Sequence, residues 1–265
     1  MSVPRPAGDC HGGEALTTTE GRPFTVEIPP QADPQIGRER ILVHFDDGRT
    51  EELCLHDYDR VYALPGLYEE VVQRRLGCRS PEEIGSMLAG ATDSLGWERS
   101  QVRVLDIGAG NGISGEALAA LGMRPVIATD LEPAAREAAL RDRPDVYDAY
   151  LITDLVDLSP TQERTIAELA PNALTCVAPV GVGPQHIPPA ALITAMRRLA
   201  PDAVIAYMRD ATAQPDLVTE QTWLGELGVT RAQELTRRRY RHRYTVNRRA
   251  MLMEGVVWRV SRRAE

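Results

Sequence analysis

The chain has 265 residues, is 43% hydrophobic and 26% charged, and carries a formal net charge of -8. This length can bury a core without metal or disulfide staples, and the negative balance gives no bulk attraction to nucleic acid or an anionic membrane. All 30 basic residues are arginine, which excludes chemistry that needs a Schiff-base or phosphate-loop lysine.

Residues 1–21 mix Gly, Thr, Pro and charges without periodicity, the composition of a mobile tail. Residues 22–98 are expected to form a small β appendage with lid helices. Phe24 to Ile28 and Ile41 to Phe45 alternate as strands, and Asp46-Asp-Gly48 turns the second into Thr50–Leu55. Asp57 to Leu76 carries apolar and aromatic residues at helical spacing, broken at Pro65-Gly66. Ser80-Pro-Glu-Glu predicts a helix start with Ser80 as N-cap, running to about Leu95.

Residues 99–265 read as the core. Strands at Val102–Ile107, Pro125–Thr129, Tyr150–Thr153, Ala173–Val177 and Ala203–Met208 alternate with helices at Ile113–Leu121, Glu132–Leu140, Thr161–Leu169, Ala190–Leu199 and Val218–Leu227. Such alternation implies a parallel sheet covered on both faces. Tyr240–Val246 and Met251–Val260 follow as two strands with no helix between them, hence an antiparallel hairpin. The expected fold is α/β, a Rossmann-like doubly wound seven-stranded sheet ending in an antiparallel hairpin, with a small N-terminal β/helical appendage.

Cys10, Cys54, Cys78 and Cys176 are scattered, without C-x-x-C or zinc spacing, and suit reduced thiols. No apolar signal core and no run of about 18 apolar residues is present, so a cytoplasmic protein without a membrane partner is expected. The appendage could pair with a second copy as a homodimer. Asp145, Asp148, Asp154 and Asp157 lack metal-loop spacing, and no metal is expected.

The informative segment is Val104-Leu-Asp-Ile-Gly-Ala-Gly-Asn-Gly112, an apolar strand ending in a glycine turn from which a helix starts. Glycines there let a ligand approach the backbone at the carboxyl ends of the strands. Asp130 ends the next strand, 18 residues after Gly112, where a carboxylate can accept both ribose hydroxyls of an adenosine. Gly110-Asn-Gly-Ile-Ser-Gly115 also matches G-x-G-x-x-G, so a nicotinamide-dependent oxidoreductase is the rival. Against it stand Asp106, whose charge would oppose a pyrophosphate, the glycine register, and the terminal hairpin.

The segment 104–112 resembles motif I of class I S-adenosylmethionine-dependent methyltransferases, and the resemblance extends over about residues 57–265. It implies S-adenosylmethionine as cofactor; the expected reaction is methyl transfer to an O or N atom of a small-molecule acceptor, and the negative charge gives no reason to expect a nucleic acid partner. The resemblance also implies site roles. Gly108, Ala109, Gly110 and Gly112 would line the methionine and ribose. Asp106 would orient the methionine amino group, and Asp130 would hold the ribose. Leu131 would pack on the adenine, with Asp154 and Leu155 at its edge, and Val177 would lie near the sulfonium. Ala200-Pro-Asp-Ala203 departs from the family's Pro-Gly-Gly turn. His56 to Tyr62 resembles a lid in which Tyr58 and Tyr62 cover the cofactor; otherwise these tyrosines pack the appendage on the core.

A base is needed only if the acceptor must lose a proton. His186, after the fourth core strand, is the first candidate, or else an exposed loop histidine; His56, before the lid, is the second. Tyr207 and Asp210 are weaker candidates, His44 reads as structural and His11 lies in the tail. The run Arg237 to Tyr244 could serve an RNA-directed methyltransferase or binding module. Its alternation instead suggests one buried face with Tyr240, His242 and Tyr244, and one solvated face with Arg239, Arg241 and Arg243.

Overall fold

The computed structural model describes residues 16–32, 37–180, 186–211 and 229–262. The expected helix at Val218–Leu227 lies outside them, as do Cys10 and His11.

Two sheets organise the chain. The first joins β1 (Leu16–Thr17), β2 (Pro23–Glu27), β3 (Arg40–Phe45) and β4 (Thr50–Cys54) in sequential antiparallel order. β1 falls inside the expected tail, because Leu16 pairs with Phe24. The alternating residues Phe24, Val26, Ile41, Val43 and Leu53 bury one face of this sheet. Against it pack α1 (Tyr58–Ala63) and a π-helical segment, Glu69–Arg75, through Val61, Leu67, Val71 and Val72. Between the two, Gly66 takes φ 71°, which breaks the helix at the expected place.

The second sheet has seven strands. β5 (Arg103–Ile107), β6 (Arg124–Asp130), β7 (Ala149–Ile152), β8 (Ala173–Pro179) and β9 (Asp202–Asp210) are parallel. β10 (Val229–Tyr244) and β11 (Ala250–Arg262) close it as the hairpin, in the order β10-β11-β9-β8-β5-β6-β7. α2 (Ser80–Ser94) and α3 (Ile113–Ala120) cover one face, where Ile84, Leu88 and Leu118 meet Val104 and Val204. α5 (Pro160–Leu169) and α6 (Pro189–Arg197) cover the other, where Ile166 and Leu192 meet Leu105 and Ile205. α4 (Pro133–Asp142) flanks β7 and takes α1 on its outer side, with Tyr62 against Ala135 and Ala138. α2 therefore packs with the core, although it falls within the residues 22–98 expected to form the appendage.

Ser80 does not cap α2. It is buried, and its Oγ lies 2.9 Å from the Tyr240 hydroxyl and 2.7 Å from His242 Nδ1, tying the helix start to β10. Burial, with the neighbouring Arg243 charge, pushes the His242 pKa down from 6.5 to about 3. The unfolded chain thus binds the proton first as pH falls. This ring's contribution to stability is complete above pH 6.5 and is lost as the pH drops toward about 3. Over that window it adds up to about 1.4 kcal/mol per pH unit to the slope of unfolding free energy. In His242→Asn, which keeps an acceptor for Ser80, urea midpoints from pH 7 to 5 should fall less steeply than in the wild type. An unchanged slope would refute the buried neutral imidazole.

β10 starts eleven residues before the expected strand and bears a register shift between Arg241 and Arg243. The shift overturns the expected alternation by turning Arg243 inward, where it pairs with the buried Glu39.

Candidate active site

The β5–α3 turn carries Gly108, Gly110 and Gly112 at φ 64°, 56° and 87°. The positive values hold the turn sharp, so α3 starts directly under the strand tip. Gly108 and Ala109 donate from their backbone N–H groups to Thr129 O at 2.8 and 3.1 Å, docking the turn on β6. Ala109 is itself buried.

Asp130, at the tip of β6, accepts from Gly110 N at 2.9 Å through Oδ2 and from Glu132 N at 3.0 Å through Oδ1. Burial pushes its pKa up, against the backbone amides that hold the charged form. Beyond the backbone amides the carboxylate keeps acceptor capacity for a further donor. The next residue, Leu131, is 68% exposed. At the neighbouring tip of β7 the expected pair shifts by one: Asp154 is exposed, Leu155 is buried in the core, and Val156 stands 52% exposed. Asp154 Oδ1 accepts from Val156 N at 3.1 Å in a tight turn, which points Leu155 inward.

Asp106 lies behind the turn, fully buried. Its Oδ2 accepts from Ser114 Oγ at 2.5 Å and Tyr147 OH at 2.7 Å, and its Oδ1 from Thr175 Oγ1 at 2.7 Å. Burial pushes its pKa up, and the three hydroxyls offset that. Asp106 therefore braces β5, β8 and α3 rather than opening to solvent. Tyr147, which the sequence did not single out, reaches it across space left by the missing side chain of Gly115.

The end of β8 also differs by one position. Val177 packs toward the α2 face, whereas Ala178 approaches Gly108: a Cβ built there would lie 3.4 Å from Ala178 Cβ and 3.5 Å from Ile187 Cδ1. Ile187 thus lies over the glycine turn, and His186 directly precedes it in the chain. His186 Nδ1 is buried without a hydrogen-bond partner among the described residues.

The lid lies over the other side. Tyr62 is buried, and its hydroxyl oxygen stands 2.6 Å from the position of a Cβ on Gly110. Tyr58 stacks on Tyr62 with ring centres 5.5 Å apart, and His56 meets Tyr58 edge-on at 5.6 Å. Burial, with Asp130 adding, pushes the Tyr58 hydroxyl up to about 12. Burial, then Arg243, pushes the His56 pKa down, and its Nδ1 likewise has no partner among the described residues. Tyr207 is buried within the core, and His44 lies on the outer face of the small sheet beside Thr50 and Glu27.

The topology is shared with solved methyltransferases. A Pyrococcus horikoshii protein provisionally described as an RNA methyltransferase superposes with a TM-score of 0.50, at 14% identity, over 68% of this chain and 83% of its own. The fold is that of the class I S-adenosylmethionine-dependent methyltransferases. Magnesium protoporphyrin IX methyltransferase of Synechocystis, with bound S-adenosylhomocysteine, gives a TM-score of 0.44 at 13% identity over 69% of this chain and 83% of its own. A TehB-like methyltransferase of Corynebacterium glutamicum gives 0.43 at 16% identity, over 66% and 87%. No known family model matches the sequence, and no curated protein does. At such identities the likeness to the methyltransferase structures is one of fold. Among the described residues no helix is long and apolar enough to cross a membrane.

Proposed function

We propose that this chain transfers a methyl group from S-adenosylmethionine to an oxygen or nitrogen atom of a small molecule. The observation that carries it is the Asp130 carboxylate bonded to the Gly110 amide at the mouth of the glycine turn. That amide is one a pyrophosphate would need, and a carboxylate sits on it. A dinucleotide is therefore repelled where a phosphate-free, cationic nucleoside is attracted. Asp130 would hold the ribose hydroxyls, Leu131 and Val156 would flank the adenine, and Gly108 and Gly110 would take the methionine side. Asp106 would keep the turn rigid from behind.

The cofactor supplies a methyl group on a sulfonium, which is already a good leaving group. What remains for the protein is orientation, exclusion of water and, for a hydroxyl or protonated amine acceptor, removal of a proton. His186, next in the chain to the Ile187 that faces Gly108, suits the last task, and His56, whose pKa burial lowers, is the alternative base. The Arg-rich strand is a poor phosphate ladder. Arg237 pairs with Glu234 and Glu254, Arg238 with Glu83 and Arg243 with Glu39, while Arg241 lies 4.3 Å over the Tyr244 ring. These engagements favour a small acceptor over RNA.

Calorimetry with S-adenosylhomocysteine should show one site per chain with a dissociation constant on the order of micromolar, about -8 kcal/mol. Absence of heat at about millimolar ligand, weaker than -4 kcal/mol, would refute the assignment. Fluorescence transfer to reduced nicotinamide dinucleotide is the rival arm and should stay silent.

A further inference from the structure

We propose that Glu69 is a latch that holds the lid shut on the glycine turn, so that ligand entry waits on its release. As a gate for S-adenosylmethionine it rests on the function proposed above. As a latch it stands on contacts of its own.

Glu69 Oε1 accepts from Asn111 Nδ2 at 2.6 Å and from Arg143 NH1 at 2.9 Å. Asn111 belongs to the glycine turn, so the lid grips the element it covers. Arg143 NH1 also donates to Asn111 O at 3.2 Å, making a three-membered knot whose ion pair is largely shielded from water. A second tie runs from Arg141 NH1 to Tyr62 O at 3.1 Å. With both ties made, the Tyr62 hydroxyl fills the space in front of the Gly110 Cα, 2.6 Å from where a Cβ would stand.

The lid is built to move as a unit. Gly66, with its left-handed φ, stands between α1 and the Glu69 segment and can absorb a change of direction. That segment is π-helical: Leu76 N donates to Val71 O, five residues back, at 2.9 Å. Such wide turns are uncommon and are frequent at functional sites. The hinge, the wide turn and the charged clasp thus lie within residues 66–76, and the plug, Tyr62, precedes them. A protein held mostly shut binds with an apparent affinity reduced by the fraction open, so weakening the clasp must speed uptake.

Glu69→Gln keeps the shape and one acceptor but removes the charge facing Arg143. Amide hydrogen exchange across residues 58–76, without added ligand, should quicken about five- to tenfold, with the large sheet unaffected. The association rate of S-adenosylhomocysteine, followed by surface plasmon resonance, should rise by a similar factor. Tyr62→Phe, which keeps the ring in its alanine pocket and removes only the hydroxyl, should raise the association rate with little change in exchange. Unchanged lid exchange in Glu69→Gln, or slower association in either variant, overturns the latch. Faster lid exchange with no uptake of the nucleoside by any variant upholds the latch and removes the cofactor assignment instead.

Discussion

Replacing Arg243 by methionine will destabilise the protein by about 3–5 kcal/mol, the largest loss expected from any single charged-to-apolar change in the hairpin. Arg243 lies on β10 of the large sheet and Glu39 in the appendage, and their side chains are 5% and 1% exposed. Glu39 Oε1 also accepts from Val246 N at 2.9 Å, so this carboxylate has no route to water once its guanidinium is gone. Truncating one partner strands a charge, whereas replacing both does not. The double variant Glu39→Leu with Arg243→Met should therefore recover most of the loss. Urea unfolding at pH 7 measures both. A single-variant cost under about 1 kcal/mol would mean that the pair is solvated and does not pin the appendage.

Asp130→Asn is expected to weaken S-adenosylhomocysteine binding about 100-fold, close to 3 kcal/mol. The carboxylate accepts from two backbone amides at once, Gly110 and Glu132. An asparagine offers one oxygen and turns an NH2 toward the other N–H, so either the glycine turn or the start of α4 loses its partner. The ribose would also meet a donor where it needs an acceptor. Calorimetry of the variant beside the wild type reads the change. Binding within about threefold of wild type would remove Asp130 from the nucleoside site.

Where hydrophobic period and local turn chemistry coincide, the sequence was legible. Four strand–helix repeats, the fifth parallel strand, the hairpin and the helix break at Pro65-Gly66 each stand on residues adjacent in the chain. So does the glycine turn, whose positive φ values follow from the only residue type that adopts them freely. What escaped depends on distant partners. Ser80 looks like a cap because its neighbours do, yet Tyr240 and His242, 160 and 162 residues away, take its hydroxyl. Tyr147 reaches Asp106 across 41 residues with no local sign. Leu155 and Val156, or Val177 and Ala178, exchange roles through one step of a strand end, where period gives no guidance. The first half of β10 is polar on both sides, so no alternation betrays it.

That polarity has a consequence for how the molecule is made. β11 lies between β9 and β10 although it follows both in the chain. During synthesis β10 emerges before the strand it must hydrogen-bond to, and the outer edge of β9 waits with it. A valine-rich ribbon in that interval would invite pairing between neighbouring nascent chains. Residues 229–244 instead carry Arg231, Arg237, Arg238, Arg239, Arg241 and Arg243, whose like charges keep copies apart until β11 slots in and the glutamates claim them.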